Sequence, residues 1–387
     1  MMYEKKPWLR YYDYVPESID YPRNTLYGAI RDAAIKNPDK IAYDFLENTS
    51  TYSKFLSDID KCADALYSLG LRKGDRVTIS LPNCPQALIC LYAINKIGAV
   101  SSMIHPLSPP KEVKFYLNLS KSKYAITLDA FYKNFSDIIS STSVEKIILS
   151  KISDYLTLTK KIGFKLTTGR QIKKVPFDPK VVWLNDLMGK DYPNIDTIST
   201  NPDELALILY SGGTTGTPKG IELSNMNFNS LAYQALAQGP VSNQDAVLSI
   251  LPIFHGFGLG VCVHTFLVGS GKCILVPKIS PDAVLDLIKR KKPMYIAGVP
   301  TLYAALARNP KISKVDFSCI KGAFCGGDHL PHEIKMEFEN SVNINGVNLV
   351  LREGYGLTES VTGVTIMPKK TYREGSIGIP LDRKSVV

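Results

Sequence analysis

The sequence lacks the features that would assign the protein to a membrane-spanning, secreted or repetitive class. No apolar run approaches the roughly 18 residues that a membrane-spanning helix needs. Residues 1–8 contain no apolar stretch of the kind found in secretory signals. Repeats of fixed period and long low-complexity segments are also missing. We therefore expect a globular protein of the cytoplasm.

Cysteine and histidine occur without the spacing of disulfide scaffolds or zinc sites. The seven cysteines are odd in number and include no Cys-x-x-Cys pair, which favours free thiols in a reducing compartment. The five histidines include no His-Glu-x-x-His motif. Pro331, between His329 and His332, disfavours a pair of ligands on one helix. The sequence thus predicts neither a disulfide framework nor a zinc site.

Positive charge is in surplus and unevenly placed. The 387 residues are 45% hydrophobic and 21% charged, with a formal net charge of +10, and this length predicts two or three folding units. Residues 146–180 hold nine lysines and arginines against two aspartates. No recognised nucleic-acid motif accompanies this charge, so we expect no nucleic-acid partner.

An amphipathic pattern lies inside the basic segment 146–180. Tyr155, Leu158, Ile162 and Leu166 recur at the spacing of one helix face. Such a basic helix can lie on an anionic membrane surface, which would make the protein peripheral at the inner membrane surface. The alternative, which the sequence favours, is a solvated helix packed on its own domain.

Apolar, β-rich runs alternate with helical patterns along the chain. Strands are predicted at residues 77–81, 124–128, 146–149, 205–210, 246–251, 273–276, 294–298, 320–325 and 348–351. Helices are predicted at residues 25–36, 52–69, 85–97, 281–291 and 301–308. The alternation predicts an α/β fold of layered, mainly parallel sheets flanked by helices. The irregular segment 151–196 is the best candidate for a boundary between two lobes.

A glycine- and threonine-rich run follows the predicted strand 205–210. Residues 211–220 read Ser-Gly-Gly-Thr-Thr-Gly-Thr-Pro-Lys-Gly. Glycine permits close backbone approach, and successive free N–H groups form an anion-binding concavity. A Walker A loop is excluded, because Pro218 precedes Lys219 and Gly220 follows it. The run predicts polyphosphate binding, and the alternative is a flexible turn.

Four further motifs follow this run in order. They are Leu-Pro-Ile-Phe-His-Gly-Phe-Gly at 251–258, Gly-Ala-Phe-Cys-Gly-Gly-Asp at 322–328, Gly-Tyr-Gly-Leu-Thr-Glu-Ser at 354–360 and Gly-Ser-Ile-Gly-Ile-Pro at 375–380. Together the five resemble the signature of the adenylate-forming (AMP-binding) superfamily, which includes the acyl-CoA synthetases. The resemblance covers essentially the whole chain. Residues 6–16 and 81–85 further resemble long-chain fatty acid–CoA ligases.

The resemblance implies the large N-terminal domain of such an enzyme over residues 1–381, with a smaller β-barrel-like part. It also implies that the small C-terminal domain, with its catalytic lysine, is absent from this chain. Residues 382–387 match, in one frame, the translation of a common sequencing adapter. We therefore predict that this tail is an artefact, and the alternative is a terminus of no particular meaning.

The implied reaction joins a carboxylic acid to ATP as an acyl-adenylate and then transfers the acyl group to coenzyme A. No acidic residue lies in 252–260 to pair with a substrate ammonium, so amino-acid substrates are disfavoured. A fatty acyl-AMP ligase and an aryl- or medium-chain acid–CoA ligase remain alternatives. A nucleotide- or acyl-binding module without turnover is an alternative of another class. The oligomeric state is left open.

The resemblance also implies roles for individual residues. Glu359 would ligate Mg²⁺ together with Thr214, Thr358 would donate to the α-phosphate, and His255 would border the carboxylate and the acyl tunnel. The alternative for His255 is a ring packed between its aromatic neighbours, and Cys325 is not expected to be a nucleophile. The implied nucleotide-binding residues are Ser211, Gly212, Gly213, Thr214, Thr215, Gly216, Thr217 and Lys219 around the phosphates, and Tyr355, Gly356, Gly327 and Asp328 around adenine. ATP, Mg²⁺ and coenzyme A are the implied cofactors and cosubstrates.

Overall fold

The structure is a computed structural model that describes residues 6–12, 15–198, 201–212, 216–239, 241–344 and 346–384. Its α-helices are α1 (Leu26–Lys36), α2 (Tyr52–Ser68), α3 (Pro85–Ile97), α4 (Pro110–Ser120), α5 (Tyr132–Ser136), α6 (Leu158–Leu166), α7 (Leu184–Met188), α8 (Asn225–Gln238), α9 (Thr265–Val268), α10 (Pro281–Lys291), α11 (Pro300–Ala307) and α12 (His332–Asn343). A π-helix, Phe257–His264, runs directly into α9.

The strands alternate with these helices. They are β1 (Ile41–Phe45), β2 (Asn48–Thr51), β3 (Arg76–Ser80), β4 (Val100–Met103), β5 (Tyr124–Leu128), β6 (Lys146–Ser150), β7 (Val181–Trp183), β8 (Leu205–Ser211), β9 (Lys219–Ser224), β10 (Ala246–Ser249), β11 (Lys272–Leu275), β12 (Tyr295–Gly298), β13 (Gly322–Cys325), β14 (Leu351–Gly356), β15 (Gly363–Ile366) and β16 (Ile379–Pro380).

The described strands form two largely parallel sheets. One has nine strands in the order β16-β15-β14-β13-β12-β10-β11-β1-β2, and the other has seven in the order β7-β6-β5-β3-β4-β8-β9. Antiparallel pairing is confined to the edges, at β1/β2, β14/β15, β15/β16 and β8/β9. In place of a separate barrel-like part, β15 and β16 extend one edge of the nine-stranded sheet.

The two sheets enclose a layer of helices that contains the main core. Every residue of α3 is buried. Alternate residues of the strands face opposite sides, so Val247 belongs to the central core whereas Leu248 packs against the outer helices. The helices α10, α11 and α12 cover the outer face of the nine-stranded sheet, and α4 and α5 cover that of the other.

Helix ends follow local sequence signals. The side chains of Thr25, Thr51 and Ser280 each accept a hydrogen bond from a first-turn N–H of the helix that follows. Gly98 ends α3 with a left-handed φ of 78°. These signals explain why the predicted helices 85–97 and 281–291 match the structure at both ends. The other predicted helices differ from the structure by a single residue at one or both ends.

Two expectations differ from the observed architecture, and the third, on the tail, stays a prediction. The predicted strand 348–351 is displaced, because β14 begins at Leu351 and continues to Gly356. The segment 151–196 does not separate the sheets, since β7 joins the same sheet as β8 and β9. Asp382, in the predicted artefactual tail, packs against the N-terminal segment, where its carboxylate accepts hydrogen bonds from Ile19 N and Tyr21 Oη, each at 2.9 Å. Whether the natural gene encodes residues 382–387 stays a prediction.

Candidate active site

A cavity of about 430 Å³ lies where carboxyl ends of strands from both sheets meet. Ser211 at the end of β8 forms one wall, and Cys325 and Gly354, from β13 and β14, form another. The carboxyl edge of parallel strands is the usual place for ligand binding in layered α/β folds, since loops and helix N-termini converge there. The cavity is therefore the candidate active site.

The glycine- and threonine-rich run begins at this cavity and returns as a strand. Ser211 pairs with Lys219 across the β8/β9 hairpin, and Ser211 and Gly212 line the cavity. Because Lys219 begins a strand rather than a helix, the exclusion of a Walker A loop is confirmed. Lys219, Gly216 and Thr217 are exposed but are not cavity-lining residues. The predicted residues Gly213, Thr214 and Thr215 lie outside the described residues.

The Gly-Tyr-Gly-Leu-Thr-Glu-Ser motif forms the end of β14 and a tight turn at the cavity. Tyr355, Gly356, Thr358 and Glu359 all line the cavity, and the 3₁₀ turn Thr358–Ser360 lies against β8 and β9. A Cβ on Gly356 would lie 1.6 Å from the Thr362 carbonyl oxygen. Only glycine therefore allows the close backbone approach between this motif and the segment that returns as β15.

The motif at 251–258 supplies His255 and the start of the π-helix. His255 lines the cavity, and its Nδ1 accepts a hydrogen bond from Phe257 N at 3.2 Å, so the neutral ring carries its proton on Nε2. Although the ring reaches solvent through the cavity, the surrounding protein lowers the pKa of His255 by desolvation. A neutral imidazole with a free Nε2–H suits donation to a carboxylate oxygen.

The Gly-Ala-Phe-Cys-Gly-Gly-Asp motif contributes residues 324–327 to the cavity but not its aspartate. Gly326 and Gly327 line the cavity, whereas Asp328 is exposed and is not a lining residue. The Asp328 carboxylate accepts a hydrogen bond from His329 N at 2.7 Å. Burial raises the pKa of Cys325 to about 12, which keeps the thiol protonated and agrees with its expected lack of a nucleophilic role.

Oxygen ligands for a hard cation are available at one point of the cavity wall. Across the described ranges, no group of three or more His, Cys, Asp or Glu residues could hold a metal ion. Glu359 is the sole carboxylate among the described lining residues. One carboxylate at the wall where the glycine- and threonine-rich run begins fits Mg²⁺, which keeps water and substrate phosphates as most of its ligands.

An apolar region of the cavity was not assigned to residues from the sequence. It is lined by residues of α8, the π-helix and the segments that follow them, including Leu231, Ala235, Val241, Val261 and Phe266. The sequence feature that could have indicated this region is the glycine-rich run 256–260. A Cβ on Gly260 would lie 2.7 Å from Leu231 Cδ2. This close approach explains how the π-helix and α8 share one wall.

Comparison with known proteins agrees with the motifs. A family described as AMP-binding enzyme matches residues 30–386. The chain is 33% identical over 388 residues to a long-chain-fatty-acid–CoA ligase of Bacillus subtilis, covering 98% of this chain and 68% of the relative. A protein of the same name from Yersinia pestis is 30% identical, covering 99% of this chain and 69% of the relative.

Solved structures share the fold. A long-chain-fatty-acid–CoA ligase from Archaeoglobus fulgidus has a TM-score of 0.81 at 22% identity, covering 94% of this chain and 70% of that chain. An anthranilate CoA ligase in complex with anthranoyl-AMP has a TM-score of 0.81 at 20% identity, covering 93% of this chain and 65% of that chain. The chain thus spans about two thirds of the length of these proteins.

Proposed function

Because the chain belongs to the family of AMP-binding enzymes, we propose that its full-length protein activates a carboxylic acid with ATP. The acid carboxylate attacks the α-phosphorus, which gives an acyl-adenylate and pyrophosphate. Coenzyme A thiol then displaces AMP and forms the thioester. The observation that carries this proposal is the convergence of four separate motifs on one cavity, through Ser211, His255, Gly327 and the Tyr355–Glu359 turn.

The residues of this chain would bind and orient the reactants. The backbone at Ser211 and Gly212, with Lys219 across the hairpin, would hold the phosphates. Tyr355 and Gly327 would contact adenine, and Thr358 would donate to the α-phosphate. The roles of Gly213, Thr214, Thr215 and Asp328 stay predictions. His255 Nε2–H would orient the substrate carboxylate at the edge of the apolar region.

Mg²⁺ would supply charge neutralisation as the acid carboxylate approaches the polyphosphate. Glu359 would hold the ion at the cavity wall, and its turn against β8 and β9 keeps the carboxylate beside the run that would bind the phosphates. An anion can approach a polyanion only when such groups offset the repulsion.

The chemistry of the cavity wall supports an apolar acid. Leu231, Val241, Val261 and Phe266 offer an acyl chain an apolar surface. Apart from Glu359, the described wall offers no carboxylate to pair with an amino-acid ammonium. We propose a long-chain fatty acid as substrate, which the names of the curated relatives also support. Aryl and medium-chain acids are the alternatives within the same reaction.

ATP–pyrophosphate exchange by the full-length protein tests the first half-reaction. Exchange should depend on palmitate and exceed that with benzoate or any amino acid. Thioester formation with coenzyme A separates a CoA ligase from a fatty acyl-AMP ligase, which would stop at the adenylate. Exchange with amino acids alone would contradict the proposal.

The chain spans about two thirds of its relatives' length, and we propose that it binds ATP or an acyl-adenylate. Titration of the chain with ATP in a calorimeter tests binding directly. We place the protein in a reducing compartment, the cytoplasm, because all seven cysteines are free thiols and six are buried.

A further inference from the structure

One face of α6 is apolar and uncovered. Leu158, Ile162 and Leu166 are 75%, 55% and 56% exposed. Because they are four residues apart, they form one stripe about 12 Å long on the helix surface. The sequence favoured a helix packed on its own domain, but the described residues leave this stripe open. We call these three residues the α6 apolar face.

The opposite side of α6 holds the helix on the protein. Lys160 Nζ forms an ion pair with Glu47 Oε2 at 3.3 Å, and the Phe164 ring lies within 3.2 Å of where a Cβ on Gly169 would be. At 100° per residue, Lys160 and Phe164 point away from Ile162. The ion pair of Lys160 with Glu47 therefore links α6 to the turn between β1 and β2 on the side opposite the α6 apolar face, and Phe164 packs on the turn that follows the helix.

The approach to α6 is also fixed. Ile152, Tyr155 and Leu156 pack against the core between the sheets. Asn48 Nδ2 donates a hydrogen bond to the Tyr155 carbonyl oxygen at 2.9 Å. The segment before the helix is thus anchored at the β1/β2 hairpin, and the helix projects from this anchor.

Positive charge surrounds the α6 apolar face. Lys161 and Lys165 lie beside it on α6, and Arg170, Lys173 and Lys174 follow. Of the nine basic residues in 146–180, Lys160 is the one that forms an ion pair with another described residue. Phe177, in the same segment, is 97% exposed. Apolar side chains and unpaired cations are thus exposed together.

We propose that this surface docks the protein on an anionic lipid membrane. Apolar side chains on a projecting helix can enter the boundary between headgroups and acyl chains, while lysines bind anionic headgroups. A second copy of the chain would bring a second set of cations to the same face, which repulsion disfavours. The contact is peripheral, because no helix in the described part of the chain is long and apolar enough to cross a bilayer.

The docking surface and the cavity lie at the same edge of the seven-stranded sheet. α6 follows β6, whereas Ser211 ends β8, and β5, β3 and β4 lie between these two parallel strands. Four strand spacings correspond to about 19 Å. Docking through α6 would therefore bring the cavity near the bilayer, but the docking proposal does not rest on the proposed reaction.

Vesicle co-sedimentation of the 387-residue chain tests the proposal. The vesicles are phosphatidylcholine alone or phosphatidylcholine with phosphatidylglycerol, at low and high salt, without ATP or acid. Binding should require phosphatidylglycerol and weaken with salt. Lys161→Gln with Lys165→Gln should weaken binding roughly 30-fold, since each lysine near an anionic surface contributes about fivefold. Ile162→Asp should also weaken it strongly.

Matched controls lie at the end of α1 and just after it. Ile35 is 69% exposed, so Ile35→Asp makes the same change at an equally open position and should leave binding unchanged. Lys36→Gln with Lys40→Gln should likewise have no effect. Circular dichroism and thermal unfolding of all variants should match the wild type, because every substituted side chain is exposed.

Three outcomes would overturn the proposal. The first is no binding to phosphatidylglycerol vesicles, and the second is binding that Ile162→Asp leaves intact. The third is self-association, measured by sedimentation velocity, that Ile162→Asp abolishes while vesicles do not bind. That result would assign the surface to a second copy of the chain.

Discussion

His264 should make the stability of the fold depend on pH. It ends the π-helix that begins beside the candidate active site, and it is buried. Its Nε2 lies 2.8 Å from Asn229 Oδ1, and its Nδ1 lies 3.0 Å from Tyr92 Oη. Asn229 Nδ2 donates to the Asn24 carbonyl, so Oδ1 faces the ring as an acceptor. The neutral tautomer with its proton on Nε2 therefore satisfies both ring nitrogens.

A proton added to this ring would be buried without a counter-charge. Desolvation accordingly lowers the pKa of His264 from 6.5 to about 3 in the folded protein. In the unfolded chain the pKa is higher, so below pH 6.5 the unfolded state binds the proton first. The contribution of His264 to stability is complete above pH 6.5 and falls as pH drops toward 3. At 1.36 kcal/mol per pH unit, the loss at pH 5 is about 2 kcal/mol.

Denaturant unfolding at about pH 7.5 and pH 5 measures this loss. His264→Gln should be less stable at both values, but its stability should fall by about 2 kcal/mol less than that of the wild type. His329→Gln, at an exposed position, should keep the wild-type pH dependence. Equal losses in the wild type and His264→Gln would refute the reasoning, because another group would then be responsible.

Three further predictions concern the candidate site. In the full-length protein, Lys219→Ala should slow ATP–pyrophosphate exchange roughly 10- to 1,000-fold, as for the loss of one preorganised charge donor. The control Lys190→Ala, at an exposed surface position, should not slow it. Equal exchange rates in Lys219→Ala and the wild type would remove Lys219 from the mechanism. Glu359→Gln should raise the Mg²⁺ concentration that exchange requires, and an unchanged Mg²⁺ titration would contradict the ligand assignment. Gly356→Ala should lower the free energy of unfolding by about 1–3 kcal/mol through overpacking, since its Cβ would lie 1.6 Å from the Thr362 carbonyl oxygen. Denaturant unfolding measures this loss. A stability equal to that of the wild type would show that the β14/β15 hairpin can shift.

Local signals explain which elements could be predicted. Helix α3 is bounded by Pro85, which suits a first helical turn, and by Gly98, which suits the left-handed position after it. The sequence prediction placed strand β14 at residues 348–351, because the apolar run there suggested that β14 starts earlier than it does. Its actual extent depends on pairing with β15, a contact between residues such as Gly354 and Ile366 that periodicity does not reveal.

Periodicity found α6 but could not decide what its apolar face contacts. The pattern of Leu158, Ile162 and Leu166 is the same whether a helix packs on its domain or faces outward. Contacts of Lys160 with Glu47 and of Phe164 with Gly169 decide the orientation. They join residues far apart in sequence or depend on side-chain direction, so they exist only once the chain has folded.

The sequence by itself determined the family, the α/β alternation and the motifs that contribute to the candidate site, because glycine, proline and motif spacing act locally. The tertiary structure alone decided which of those residues share the cavity, since Ser211, His255 and Tyr355 come from strands and loops of two different sheets. It also decided that Asp328 is not part of the cavity wall, that His264 is buried without a counter-charge and that the α6 apolar face is open. Burial and charge pairing depend on distant neighbours, and these arise from packing of the two sheets around their shared helices.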